Sequence, residues 1–266
     1  MEKLNLFDIT GRIAIVTGGA GLLAAEHAIA LGSQGAAVIL ADFNEEKCNA
    51  AVHDLQQQGV NAIAKYCNVT EKQSWQQLAE EVVAQYGSID ILINNAGFTN
   101  QSKSANFDAG FEDFPLEDWN AIINVNLTGT FLGCQVAGKQ MLKQGKGAIV
   151  NMASLYGVVS PNHNIYPGTG ISQPVAYSVS KHGVVGLTKY IATLWASKGV
   201  RVNAITPGGI FNGHKGLFLE RFQQLNPIGR MSDKTELRGA VAYLASDASS
   251  HVVGHNLIVD GGWTAW

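Results

Sequence analysis

A doubly wound parallel α/β sheet is the fold class this sequence predicts, and three observations predict it. Short β-branched runs alternate with longer segments of helical apolar spacing. The runs are apolar at nearly every position, as strands covered on both faces require. The long glycine-, proline- or polar-rich intervals follow the ends of those runs. With 266 residues, 46% of them hydrophobic, the chain has enough apolar material for one large core, and a single domain over 1–266 is expected.

Taken in order, "RIAIVT" (Arg12 to Thr17) is the first strand, followed by glycines and a helix starting near Leu22. "AAVILAD" (Ala36 to Asp42) is the second, before a helix over Asn44 to Gln58, and "NAIAKYC" (Asn61 to Cys67) is the third, before a helix over Thr70 to Tyr86. "IDILINN" (Ile89 to Asn95), "GAIVNMAS" (Gly147 to Ser154), "VRVNAIT" (Val200 to Thr206) and "NLIVDGG" (Asn256 to Gly262) complete a seven-stranded parallel sheet flanked by helices. Sparsely charged helices are expected around Asn120 to Met141 and Ala176 to Trp195. In such sheets ligands bind beyond the carboxyl ends of the strands, so the loops near 98–117, 156–174 and 207–231 can all reach one site.

Composition removes several function classes. Charged residues make up 15%, against roughly 25% in an average domain, which points to buried helix faces or a subunit contact. A net charge of -3 with no Lys/Arg run offers nucleic acid no basic face. Cys48, Cys67 and Cys134 are odd in number and form no C-x-x-C, so disulfides and a thiolate metal site are not expected and a reducing cytoplasm fits. The opening "MEKLNLFDITGR" lacks the apolar core of a signal peptide, and no run nears the roughly 20 apolar residues of a membrane span. His251 and His255 are spaced like helix ligands but lie in a turn entering a strand without a third ligand, so no metal site is expected.

The stretch "VTGGAGLLAAEH" (Val16 to His27) carries the first functional signal. Gly19, Gly21 and Ala24 fit G-x-G-x-x-G/A between a strand and a helix, the Rossmann arrangement in which bare backbone lets a pyrophosphate approach. Asp42 ends the next strand, 18 residues beyond Ala24. A carboxylate there can accept the adenosine ribose hydroxyls and repel a 2′-phosphate; the competing reading is a helix cap before "NEEK". No Arg or Lys lies in the loop or beside Asp42, so NAD(H) is expected over NADP(H).

Tyr177 and Lys181 in "AYSVSKHG" are four apart, one helical turn, so an ammonium can stand near a phenol and lower its pKa. The spacing alone also suits ordinary packing. Around it, "VTGGAGLL", "NNAG" (Asn94 to Gly97), "NVNLTGTF" (Asn124 to Phe131), "VNMASLYG", "YSVSK", "TPGGI" (Thr206 to Ile210) and "LIVDGG" follow in the order of the short-chain dehydrogenase/reductase family, which the chain resembles over nearly its whole length.

The resemblance implies a tetrad of Asn126, Ser154, Tyr177 and Lys181. Tyr177 exchanges a proton with the substrate oxygen and Ser154 hydrogen-bonds it. Lys181 lowers the Tyr177 pKa and holds the nicotinamide ribose, and Asn126 positions a water in the relay. Asn124 is the alternative for Asn126. It also implies cofactor contacts from Gly18, Gly19, Gly21, Leu22 and Leu23, from Asp42, Asn68 and Val69, from Asn95, Ala96 and Gly97, and from Pro207, Gly208 and Ile210, beside Tyr177 and Lys181. Asn68 stands where the family usually has Asp. "NMASLYG" lacks the G-x-S-x-G elbow of a hydrolase.

These features fit an NAD(H)-dependent enzyme interconverting a secondary alcohol and a carbonyl, in a homotetramer. The alternatives are a 3-oxoacyl-type carbonyl reductase or a non-catalytic nucleotide-binding sensor or scaffold. Ser154 and Tyr177 are 23 residues apart, more than is usual in the family, and a similar lengthened segment occurs in members resembling gluconate 5-dehydrogenase or serving bacterial sugar pathways. The segment carries Asn162, His163, Asn164, Tyr166, Thr169, Ser172 and Gln173, a set suited to a polar polyol, sugar acid or sugar derivative.

Overall fold

In a computed structural model, which describes residues 5–98 and 110–266, the sheet has seven strands among the described residues. They are β1 (Ile13–Thr17), β2 (Ala37–Asp42), β3 (Ala62–Tyr66), β4 (Ile91–Asn94), β5 (Gly147–Met152), β6 (Val200–Pro207) and β7 (Asn256–Val259). All pair in parallel, in the order β3-β2-β1-β4-β5-β6-β7. The order reverses between β1 and β4, so the crevice for a ligand opens there, at the carboxyl ends.

Alternate strand residues divide between two cores. Ala14, Val16, Ile91 and Ile93 pack with α1 (Ala24–Gly32), α2 (Glu45–Gln57) and α8 (Arg238–Ala245) on one face. Ile13, Ile15, Leu92 and Ile149 pack with α3 (Lys72–Tyr86), α5 (Gly129–Gln144) and α6 (Val175–Trp195) on the other. Burial on both sides is why the strands read as continuous apolar runs rather than alternating ones.

The elements differ from the sequence reading at their ends. The last strand stops at Val259, because Gly261 and Gly262 take φ values of 68° and 88° and turn the chain out of the sheet. Helix α1 starts at Ala24 rather than near Leu22, since the Ala24 N–H bonds back to the Gly21 carbonyl in a turn. The interval 207–231 is not loop throughout: it contains α7 (Gly216–Leu225), whose Phe218 and Phe222 are buried. Helix α4 (Leu116–Ile123) runs into α5 through a π-helical turn over Asn124–Thr128. Of the interval 98–117, residues 99–109 lie outside the described residues. No described helix is long and apolar enough to cross a membrane.

Candidate active site

Three strand ends build the dinucleotide side. After β1, Gly18 takes φ 66°, and a Cβ there would stand 2.9 Å from the Ala96 Cα, just past β4; one at Gly19 would stand 2.9 Å from the Leu40 Cβ and 3.2 Å from the Ala41 N of β2. The loop is therefore held against both neighbouring strands by backbone that no side chain separates. Among the described residues no hydrogen bond engages the N–H groups of Leu22 or Leu23, which head α1 without a side-chain cap. Two free donors at a helix N-terminus fit an anionic pyrophosphate.

Asp42 is buried, and its carboxylate accepts from the Ala20 N–H at 3.0 Å and the Asn44 N–H at 2.9 Å. It does not cap α2: the Asn44 side chain does, accepting from the Lys47 N–H. A carboxylate has about four acceptor directions, so two remain for ligand hydroxyls. At the end of β3 the Asn68 side chain turns inward on its own segment, accepting from Thr70 and donating to Glu71 at 2.7 Å. Val69 is buried beside it.

The floor of the crevice is "NNAG". The Thr17 Oγ1 accepts from the Asn95 and Ala96 N–H groups, both at 3.1 Å, and the Asn95 amide donates to the Thr17 carbonyl at 2.9 Å. Asn94 donates to Asn151 at 2.8 Å, tying β4 to β5. On the far side Pro207 ends β6, and a Cβ at Gly208 would stand 2.7 Å from the Asp260 Cα, so the chain passes close under the end of β7. Ile210 bridges to Ser232.

The four tetrad residues come from three places in the chain: the π-helical turn, the end of β5, and α6, which carries both Tyr177 and Lys181. Asn126 lies in the π-helical turn, a distortion common at functional sites, and is fully buried while Asn124 is exposed, which favours Asn126. Its amide accepts from the Phe98 N–H at 2.9 Å and donates to the Phe98 carbonyl and to the Ser180 Oγ. It thereby pins the chain leaving β4 onto α6. Gly97 sits where a Cβ would come 3.3 Å from the Asn126 Oδ1 and 3.5 Å from the Lys181 Nζ. Ser154 follows β5 and hydrogen-bonds Tyr177.

Lys181 is buried, donates from Nζ to the Met152 carbonyl at 2.7 Å, and stands 5.7 Å from the centre of the Tyr177 ring. Burial lowers its pKa to about 8. The sequence reading had Lys181 depressing the Tyr177 phenol. At this geometry the phenol is instead pushed up, burial outweighing the hydrogen bond with Ser154, because the ammonium faces the ring and the Met152 carbonyl.

Within the long segment before α6, Asn162, His163 and Asn164 are exposed, and the Asn162 side chain caps the Asn164 N–H. Tyr166 instead meets Tyr156, hydroxyl to hydroxyl, at 2.5 Å. The sequence reading did not single out Tyr156; its place two residues after Ser154 was the available signal. The Gln173 Nε2 and Ser178 Oγ, on either side of Tyr177, are buried without a partner. No group of three or more metal-ligating side chains occurs among the described residues.

Residues 19–264 match the family model described as Enoyl-(Acyl carrier protein) reductase. The chain is 38% identical over 263 residues to D-threitol dehydrogenase of Mycolicibacterium smegmatis, covering 97% of this chain and 95% of that one. It is 34% identical over 263 residues to NAD-dependent glycerol dehydrogenase of Listeria innocua, covering 97% and 96%. A gluconate 5-dehydrogenase from Burkholderia cenocepacia, solved in complex with NADP and tartrate, superposes with a TM-score of 0.87 at 30% identity, over 98% of each chain.

Proposed function

The chain belongs to the short-chain dehydrogenase/reductase family and is an oxidoreductase acting on alcohols, and from that premise we propose that it interconverts a secondary alcohol and a carbonyl on a polar polyol, sugar acid or sugar derivative, using NAD(H). The observation that carries the reading is the convergence of Ser154 and Lys181, both buried, on the half-buried Tyr177. The names of the relatives, a threitol and a glycerol dehydrogenase among them, support the polar substrate.

A nicotinamide dinucleotide fits the described backbone: Leu22 and Leu23 would hold the pyrophosphate, Asp42 the adenosine ribose, and Lys181 the second ribose. Gly18, Gly19, Gly21, Asn95, Ala96, Gly97, Pro207, Gly208 and Ile210 would shape its bed, with Val69 and Asn68 at the adenine end. The cofactor supplies or accepts the hydride. Tyr177 handles the proton at its phenol oxygen, and Ser154 fixes the substrate oxygen there by a hydrogen bond. With its pKa raised, the phenol is protonated at neutrality and ready to donate to a carbonyl oxygen. Taking a proton from an alcohol requires losing that one first, so oxidation should rise with pH.

NAD(H) is preferred on the strength of Asp42, flanked by Ala41 and Phe43 with no cation beside it. The test is kcat/KM with both cofactors on one active substrate: NAD(H) should be favoured by at least about 10-fold, and equal or better use of NADP(H) removes the assignment. The chain is further proposed to act as one domain, in the cytoplasm, as a homotetramer.

A further inference from the structure

We propose that the Tyr156–Tyr166 hydroxyl pair binds a second hydroxyl of the substrate, beside the carbon that reacts at Tyr177, and so selects a neutral diol or polyol over a sugar acid. This rests on the reading of Tyr177 as the proton-transfer group. Tyr156 leaves the chain two residues after Ser154, and Tyr166 arrives from the long segment; both belong with Tyr177 to one packed cluster.

Two phenols together carry two O–H donors and about four lone pairs. Their mutual bond at 2.5 Å uses one donor and one lone pair, so the pair still presents one O–H and several acceptor sites. Either hydroxyl can be the donor in that bond, and a phenol O–H left without a partner in this packed cluster is costly. An alcohol hydroxyl, which donates and accepts, complements the pair at both ends.

The walls explain the charge selection. Tyr166 stacks on Phe218 at 5.9 Å, Phe218 meets Phe222 at 6.1 Å, and Phe222 stacks on Trp263 at 4.3 Å. His214 packs on Phe218 with its pKa lowered by burial, so it is neutral near pH 7. Arg221 on α7 donates from Nη1 to the carbonyls of Ile165 and Pro167, the latter at 2.6 Å, which holds it at the outer edge of the cluster. A carboxylate placed between Tyr166 and these rings would meet mainly aromatic surface, and a buried charge without a partner is strongly disfavoured.

The experiment compares 2,3-butanediol with 2-butanol, which lacks the second hydroxyl, and erythritol with gluconate, by kcat/KM. The wild type should prefer the diol by at least about 10-fold and erythritol over gluconate. Tyr156→Phe and Tyr166→Phe each keep the ring and remove the hydroxyl, and each should bring the diol to mono-ol ratio near unity, mainly through a raised KM for the diol. Tyr86→Phe, at the end of α3, should leave the ratio as in the wild type. An unchanged ratio in both site variants, or preference for gluconate, overturns the proposal while 2-butanol oxidation leaves the broader reading standing. If none of the four alcohols is oxidised, the broader reading falls and this one with it.

Discussion

His27, one turn into α1, is completely buried, and neither ring nitrogen has a hydrogen-bond partner. Burial lowers its pKa to about 4, despite the opposing influences of Asn95 and of Glu26, whose charge is itself paired with Lys234 and Arg238. The imidazole is therefore neutral in the folded chain at any pH above about 4. Between the usual value of 6.5 and about 4 the unfolded chain binds a proton that the folded chain refuses, so stability falls as pH drops through that window. The shift corresponds to roughly 3 kcal/mol. His27→Leu should flatten the acid side of the stability curve, measured as urea midpoint against pH; the same slope in both proteins contradicts this.

Single residues were legible where their chemistry is local. Asp42, Tyr177 and Lys181 are readable because a strand end or one helical turn fixes their neighbours. The Tyr156–Tyr166 bond joins two parts of an irregular segment, and no periodicity encodes it. Nor could sequence show that Asn68 would satisfy itself on Thr70 and Glu71.

At the scale of elements, α6 carries Tyr177 and Lys181 on one side and an apolar stripe on another. Val179, Tyr190 and Leu194 are exposed, with Tyr190 at 71%, and 11 and 15 residues from Val179 return to one helical face. Gly186 lies on the same stripe with open space around it, and Phe131 is exposed on α5. A flat apolar face of this kind suits a symmetric subunit contact. Light scattering at micromolar concentration should give four chains per particle, and Tyr190→Glu with Leu194→Glu should dissociate them; a wild-type monomer contradicts the assignment. Helix α7 escaped the sequence reading because glycines and Pro207 surround it, although Phe218 and Phe222 at a four-residue spacing mark its buried face. The π-helical turn at Asn124–Thr128 leaves no sequence signature of its own.

For the whole molecule, the class of fold was readable because the five inner strands are buried on both faces and so are apolar at nearly every position. Strand order is a matter of three-dimensional connection, and the reversal between β1 and β4 comes from the structure. That reversal places the glycine loop, "NNAG" and the residues after β5 around one crevice, and it makes a single chemical claim testable. The most direct measurement is the appearance of reduced nicotinamide when NAD and a secondary polyol are mixed with the wild type and with Tyr177→Phe, alongside NADH binding to both. Turnover should fall by about 100-fold or more in the variant while NADH binds nearly as well, since the ring remains and only the proton carrier is lost. Full turnover by Tyr177→Phe would contradict the account.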